Sequence, residues 1–222
     1  MIRIEFDEEI RKVAPHMRVL ALEAQVNNGP TADGLWDSLC VLSHDIKTRY
    51  EMSGINKRPG IAATRAVYKA LGKDPNRYRP SAEALCRRAV KGLELYRINT
   101  LVDIINYISM STGYSIGGFD AGLVQGDVLR LGRGHDGEDF EGIGRGPLNI
   151  EGLPVYRDAV GGIGTPTSDN ERTKLTISTG RLLMLVNIYG QEVPDEEVVL
   201  LSEKMLTEYA GATNINIHIF TP

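Results

Sequence analysis

The sequence has few cysteines and no long apolar run. Cys40 and Cys86 are its only cysteines, and neither belongs to a C-x-x-C pair. This usage favours two buried, reduced thiols over a disulfide framework. No apolar stretch approaches the roughly 20 residues that cross a bilayer. The N-terminal residues alternate charged and apolar side chains where a signal peptide would carry an apolar core. We therefore expect a cytoplasmic protein with no membrane partner.

Signatures of common metal, cofactor and nucleophile sites are also missing. His16, His44 and His218 stand alone, and His135 lies in an acidic turn, so we predict no metal site. No G-x-S-x-G elbow or cysteine next to a histidine indicates a nucleophile. A G-x-G-x-x-G run begins at Gly132, but the acidic residues after it do not begin a helix, as a dinucleotide site requires. We predict no cofactor.

Positive charge is concentrated in one segment of an acidic chain. The net charge is −4, yet residues 56–98 hold eleven Lys or Arg against three acids, a balance of +8. Such segregation indicates a contact with a polyanion. A solvated helix pair whose charges are met by acids elsewhere in the fold gives the same pattern, and charge alone does not decide between them.

Apolar periodicity divides the chain into strands, helices and strands again. We predict strands at 2–6 and 19–26 and a helix at 34–52 with Leu35, Leu39, Leu42 and Ile46 on one face. Three helices follow, at 59–71, at 81–93 with Ser81 as N-cap, and at 99–110 with Asn99 as cap. Fifteen of the 24 glycines then fall in residues 113–164, and short apolar runs predict strands at 128–131, 148–150, 175–177 and 182–188. A helix at 195–209 and a strand at 215–220 complete the pattern. Helices and strands are segregated, which favours an α+β fold.

One run of residues carries a family resemblance. Arg97 to Tyr107 reads R-x-N-x-x-V-D-x-x-N-Y, and F-D follows at Phe119 and Asp120. This resembles, at the same separation, the editing (B3/B4) domain of the phenylalanyl-tRNA synthetase β subunit. The resemblance extends over about residues 55–190, and residues 75–84 are similar to free-standing members of the superfamily.

The resemblance implies a fold and a domain organisation. The fold is a layered α+β arrangement with a β-sandwich of unusual topology flanked by helices. Residues 1–222 would form a single domain, in which 1–54 are an N-terminal extension packing on it and 191–222 add a helix and a strand.

The resemblance also implies a function, namely a pocket for the aminoacyl end of a charged tRNA and trans-acting hydrolysis of mischarged aminoacyl-tRNA. Hydrolysis needs a positioned water and donors for the developing oxyanion. It needs no protein nucleophile because the ester is already activated, which suits a sequence without a triad. The implied catalytic residues are Asn106 and Asp169. The implied substrate-binding residues are Ile105, Gly117, Gly118, Gly162 and Glu171. The charge balance of residues 56–98, not the resemblance, supplies the RNA-binding candidates Arg77, Arg79, Arg87 and Arg88.

The sequence departs from the family pattern at the pocket. The family's histidine is Gly117 here, its threonine is Ile105, and its tyrosine-recognising acid is Asp169, one methylene shorter, with Glu171 as the alternative. We therefore expect a selectivity other than tyrosine on the phenylalanine tRNA. A non-catalytic RNA-binding or small-ligand module with the same fold, and a pocket for a free amino acid, stay open. We do not expect a complete phenylalanine-tRNA ligase, because no class II catalytic domain is recognisable.

Overall fold

The computed structural model describes residues 2–222. The helices are α1 (Glu8–Val13), α2 (Asp33–Arg49), α3 (Met52–Ile55), α4 (Pro59–Ala70), α5 (Ser81–Val90), α6 (Thr100–Thr112) and α7 (Asp195–Ala210). The strands are β1 (Arg3–Phe6), β2 (Arg18–Gln25), β3 (Ser115–Asp120), β4 (Val128–Arg133), β5 (Glu141–Gly142), β6 (Gly146–Pro147), β7 (Pro154–Arg157), β8 (Gly162–Gly164), β9 (Arg181–Ile188) and β10 (Thr213–Phe220). None of the helices in the described part of the chain is both long and apolar enough to cross a membrane.

Two four-stranded sheets form the centre of the fold. The first has the order β1-β4-β7-β8 and the second β10-β2-β9-β3, and β5 and β6 form a separate hairpin. Strands β1 and β4 are parallel, whereas the other neighbours within the sheets are antiparallel. The predicted α+β class is confirmed.

The sheets pack face to face, and helices cover one outer face. Phe6 and Leu131 of the first sheet meet Leu183 and Phe119 of the second in one apolar cluster. On the opposite face of the second sheet, Leu22, Met184 and Ile116 pack against α6 and α7. Both faces of β2 and β9 are therefore buried. Accordingly, residues 19–22 of β2 and 182–186 of β9 are all apolar, without the alternation of a strand that has one face in solvent.

The first and last segments of the chain supply strands to the second sheet. Strand β2 lies between β10 and β9, with Leu20 opposite Ile219 on one side and Val186 on the other. Strands β2 and β10, from the first and last parts of the chain, therefore complete this sheet.

A buried arginine ties α4 to two distant parts of the chain. Arg58, next to the first residue of α4, donates from Nε to Glu192 Oε1 at 2.7 Å and from Nη1 to the Met110 carbonyl at 2.8 Å. The second oxygen of Glu192 accepts from the Gly60 N–H at 2.9 Å. The ion pair thus holds together the start of α4, the end of α6 and the loop before α7.

Several local predictions need correction. Ser81 is the first helical residue of α5 and its side chain makes no cap bond, because Pro80 occupies the cap position. Residues 148–150 and 175–177 are not strands. Ile150 instead anchors a loop in a small apolar cluster, and Thr176 is held in a turn by Thr179. Cys40 is exposed whereas Cys86 is buried, so the expectation of two buried thiols is wrong for one of them.

The glycines of the G-x-G run serve close packing. A Cβ on Gly132 would lie 2.1 Å from Asp7 Oδ2, and one on Gly134 would lie 2.0 Å from the Ile150 carbonyl oxygen. Because real Cβ atoms do not approach backbone oxygens so closely, position 134 must be glycine for the loop to pack on β4.

Candidate functional site

Helix α6 forms one wall of the site. Asn99 Oδ1 accepts from the Val102 N–H at 3.0 Å, which fixes the start of the helix. Asp103, on the buried side of α6, accepts from Thr31 Oγ1 at 2.5 Å. With Asp103 directed into the protein, Ile105 and Asn106 are on the side of α6 that lines a cavity.

The opposite wall contains β3 and the loop that carries Asp169. The Gly118 N–H donates to Asp169 Oδ2 at 3.0 Å. A Cβ on Gly118 would lie 2.4 Å from Ile105 Cδ1 and 2.9 Å from Leu175 Cδ1. Glycine at this position therefore allows both side chains to close over the strand next to the carboxyl group.

The Asp169 carboxyl group is held in an apolar environment. Burial raises the pKa of Asp169 to about 7, although the hydrogen bond from Gly118 opposes the shift. Among the described residues, this is the only hydrogen bond that the carboxyl oxygens of Asp169 accept, and no described cation forms an ion pair with this carboxyl group. Near neutral pH, this group can both accept and release a proton.

The two walls enclose a cavity of about 450 Å³. Its apolar lining comes from Leu85, Ile98, Val102, Ile105, Ile116, Ile143 and Leu175. Its polar lining comes from Ser81, Asn106, Ser109, Ser168, Asp169 and Lys174, and Gly118 completes it. The size is that of a small-molecule site, and the few polar groups in an apolar wall can orient a ligand.

The structure brings four of the predicted site residues together. Ile105, Asn106, Gly118 and Asp169 line the one cavity, although Asn106 and Asp169 are far apart in the sequence.

The other three predicted substrate-binding residues lie outside the lining. A Cβ on Gly117 would lie 2.7 Å from the Phe119 ring, on the side of β3 that faces the other sheet, because alternate residues of a strand face opposite sides. It would also lie 3.4 Å from Asp169 Oδ1. Gly162 packs against Phe140, where a Cβ would approach the ring to 3.1 Å. Glu171 is paired with Lys174, which lowers its pKa. Gly117 therefore lies next to the Asp169 carboxyl group but outside the lining of the cavity.

Several lining residues escaped the sequence prediction. Val102 lies one helical turn before Ile105 and Asn106 on α6, and Ser109 lies one turn after them, so the period of the helix predicts both. Ser168 is adjacent to Asp169. Lys174 lies in a segment without a motif, and no sequence signal places it here.

The basic segment divides into paired and exposed residues. Arg77 and Arg79 are exposed. Arg87 donates to Glu83 Oε1 at 3.4 Å, and Arg88 donates to the Glu94 carbonyl at 2.5 Å. Of the four RNA-binding candidates, Arg77 and Arg79 are therefore the better placed for an external phosphate.

Other cations of this segment are structural. Arg65 donates to the buried Glu83 at 2.7 Å, and Arg58 is paired with Glu192. Glu83 is already counted in the +8 balance, so of these two acids only Glu192, which lies outside the segment, reduces it. Within residues 2–222, no three His, Cys, Asp or Glu side chains come together in a way that could hold a metal ion.

Comparison with known proteins identifies the family. A family model for the B3/4 domain matches residues 63–194, more than half of the chain. The chain belongs to the B3/4 domain family. The resemblance read from residues 97–120 is confirmed. All four cavity residues predicted from it lie within the matched region of this B3/4 domain.

A solved structure shows the same fold. The N-terminal fragment of the phenylalanyl-tRNA synthetase β-subunit from Pyrococcus horikoshii is 12% identical to this chain, with a TM-score of 0.50. The alignment covers 99% of this B3/4 domain chain and 54% of the fragment, so the chain spans about half the length of that fragment. No curated protein matches the sequence.

Proposed function

We propose that the chain binds aminoacyl-tRNA and hydrolyses the ester of mischarged molecules. The observation that carries this proposal is a carboxyl group with a pKa of about 7, Asp169, in an apolar cavity that it shares with the Asn106 amide. The B3/4 family and the fold likeness to a synthetase subunit fragment support a tRNA-related ligand.

The proposed reaction uses these two side chains. Asp169 accepts a proton from a water molecule, and the water oxygen bonds to the ester carbonyl carbon. The Asn106 NH₂ group donates a hydrogen bond to the oxyanion that develops. The bond to the ribose oxygen then breaks, the proton passes from Asp169 to that oxygen, and the products are free amino acid and uncharged tRNA.

The direct test is a panel of mischarged tRNAs. Full-length protein is incubated with each aminoacyl-tRNA, and deacylation is compared with buffer alone. We expect at least one substrate to be hydrolysed above the spontaneous rate. No acceleration for any member, with tRNA binding retained, would contradict hydrolysis and favour a binding module.

Within this panel, we expect no strong selection for tyrosine. The lining is mostly apolar, and a pocket without a dedicated hydroxyl partner distinguishes substrates that differ by one hydroxyl by no more than about 10²-fold. Tyrosyl- and phenylalanyl-tRNA, compared at equal concentration, should therefore differ by less than that factor. A larger tyrosyl preference would mean that a cavity group, with Asp169 the first candidate, reads the phenol.

The proposed tRNA contact predicts salt-dependent binding through Arg77 and Arg79. Replacing both with serine should weaken tRNA binding and reduce the slope of log affinity against log salt by about 1.5. Because both side chains are exposed, the fold should be unaffected. The matched control replaces the exposed Arg3 and Arg181. Equal affinities for the two double variants would remove this surface from the proposal.

A further inference from the structure

The cavity that holds Asp169 also contains a cation that does not pair with it. Of the described lining residues, Asp169 and Lys174 are the two whose side chains ionise. The Lys174 ammonium group forms an ion pair with Oε2 of Glu171, which lies outside the lining. A carboxyl group beside a free ammonium group is held in its charged form. The partner of Lys174 therefore bears on the charge of Asp169.

Glu171 is fixed in place for this contact. Its other carboxylate oxygen, Oε1, accepts a hydrogen bond from the Gly144 N–H at 3.2 Å, in the turn between β5 and β6. The same turn is attached to the backbone of Asp169, whose carbonyl oxygen accepts from the Ile143 N–H at 3.0 Å. One oxygen of Glu171 thus binds the β5–β6 turn, and the other binds the lysine.

The second cation of this segment is also paired away from the cavity. Arg172 donates from Nη1 to Asp158 Oδ2 at 2.9 Å and from Nη2 to Asp158 Oδ1 at 2.8 Å. The Asp158 side chain is fully buried and also accepts from three backbone N–H groups. Because Arg172 has this fixed partner, Lys174 is the cation that can turn toward Asp169 if Glu171 is lost.

The other titratable groups on the elements around the cavity are bound elsewhere or exposed, and none of those described lines it. The acids are Glu83 on α5, paired with Arg65, Asp103 on α6, bonded to Thr31, Asp120 on β3, bonded to Thr179, and the exposed Glu141 on β5. The cations are Arg87 and Arg88 on α5, bonded to Glu83 and the Glu94 carbonyl, Arg97 before α6, paired with Asp33, and the exposed Arg145. Cys86 and Tyr107 also lie outside the lining.

From these contacts we propose that Glu171 is a positioning residue, which holds Lys174 away from the Asp169 carboxyl group and so leaves that group free to accept a proton. Glu171 acts through Lys174 and touches no reacting atom. The assignment rests on the proposed function of the cavity, in which Asp169 is the base.

The test removes the charge of Glu171 and follows Asp169 directly. In Glu171→Gln, glutamine keeps an oxygen for the Gly144 N–H but no longer holds the ammonium group by charge. We expect the pKa of Asp169 to fall by about 1 to 3, because an opposite charge can then approach the carboxylate. The pKa is measured by NMR titration of the full chain with carboxyl-labelled aspartate, and Asp169→Asn identifies the signal.

A second substitution separates the effect of charge from a loss of structure. Glu171→Gln combined with Lys174→Gln should return the pKa of Asp169 to about 7, because the cation is gone. Disruption of the loop would not be reversed in this way. The matched control is Glu141→Gln, an exposed glutamate in the β5–β6 hairpin, which should leave the pKa unchanged. Circular dichroism and thermal unfolding verify that the variants are folded.

Three results would overturn the assignment. They are a wild-type Asp169 that already titrates in the usual range of aspartate, an unchanged pKa in Glu171→Gln, and a lowered pKa that the double variant does not restore. The titration is independent of hydrolysis, since no substrate is present. The expected changes in pKa without deacylation of any aminoacyl-tRNA would contradict the proposed reaction and retain the role of Glu171. Deacylation by the wild type with an unchanged pKa in Glu171→Gln would contradict that role and retain the reaction.

Discussion

Replacing Asp169 with asparagine is expected to lower the deacylation rate by about 10² to 10⁴-fold, the usual contribution of a general base. Asparagine is nearly isosteric and keeps an oxygen for the Gly118 N–H, which donates to Asp169 at 3.0 Å. The substitution therefore removes the proton acceptor while the cavity keeps its shape. Tyrosyl-, phenylalanyl- and other aminoacyl-tRNAs should all be affected.

The pH dependence distinguishes a base from a group that only orients the substrate. Because the pKa of Asp169 is about 7, the wild-type rate should rise with pH and level off above that value. The exposed Asp136, replaced with asparagine, is the matched control and should retain the full profile. If Asp169→Asn lowers the rate but keeps the same pH profile, Asp169 is not the base.

The same variant has an expected signature in stability. The pKa of Asp169 is higher in the folded protein, about 7, than the usual value of about 3.9 in an unfolded chain. Its contribution to stability is therefore complete below about pH 4 and is lost as pH rises to about 7. Asparagine has no such loss. The free energy of unfolding of Asp169→Asn relative to wild type should therefore increase between acidic and neutral pH, as measured by urea denaturation.

Replacing Arg58 with alanine is expected to lower the free energy of unfolding by about 3–5 kcal/mol, because it leaves a buried carboxylate without its partner. The Arg58 and Glu192 side chains are 4% and 12% exposed. The variant also loses the hydrogen bond to the Met110 carbonyl, so the end of α6 is released from α4.

Urea unfolding measures this loss, and the neighbouring Lys57→Ala is the control. Lys57 is exposed and also basic, so its removal should change the free energy of unfolding by less than about 0.5 kcal/mol. A similar small change for Arg58→Ala would show that the Glu192 carboxylate finds water or another donor.

The site shows what sequence could and could not predict. Asn106 lies on a helix with a clear apolar period and a capping residue, so both the helix and the position of Asn106 on it could be predicted. On β3, however, side chains alternate between faces, and a shift of one position exchanges the core for the cavity. Glycines at 117 and 118 carry no apolar pattern to decide the register. The sequence therefore does not indicate that Gly118 lines the cavity while Gly117 faces the other sheet.

The charge pattern of the sequence is also insufficient to predict which residues form ion pairs. A count over residues 56–98 gives the balance of a segment but not the partner of any residue. Arg58 pairs with Glu192, which is far away in the sequence and outside that segment. Such pairs are decided by the packing of distant elements, and no local pattern in the sequence indicates them. The longer helices were predictable because their apolar period continues over several turns, and β2 and β9 because their apolar runs are long. The short helices α1 and α3 have no such signal.

The position of β2 between β10 and β9 determines which part of the chain can be studied alone. A fragment cut to the matched residues 63–194 would lose β2 and β10, two of the four strands of their sheet. One backbone edge of β9, whose residues from Leu182 to Ile188 are all buried in the intact fold, would then meet solvent. Residues 182–188 contain no proline or charge, and a long apolar strand with an open edge is a site of aggregation. We therefore expect a fragment cut at the family boundaries to aggregate, because β2 and β10, which complete the sheet, lie outside those boundaries.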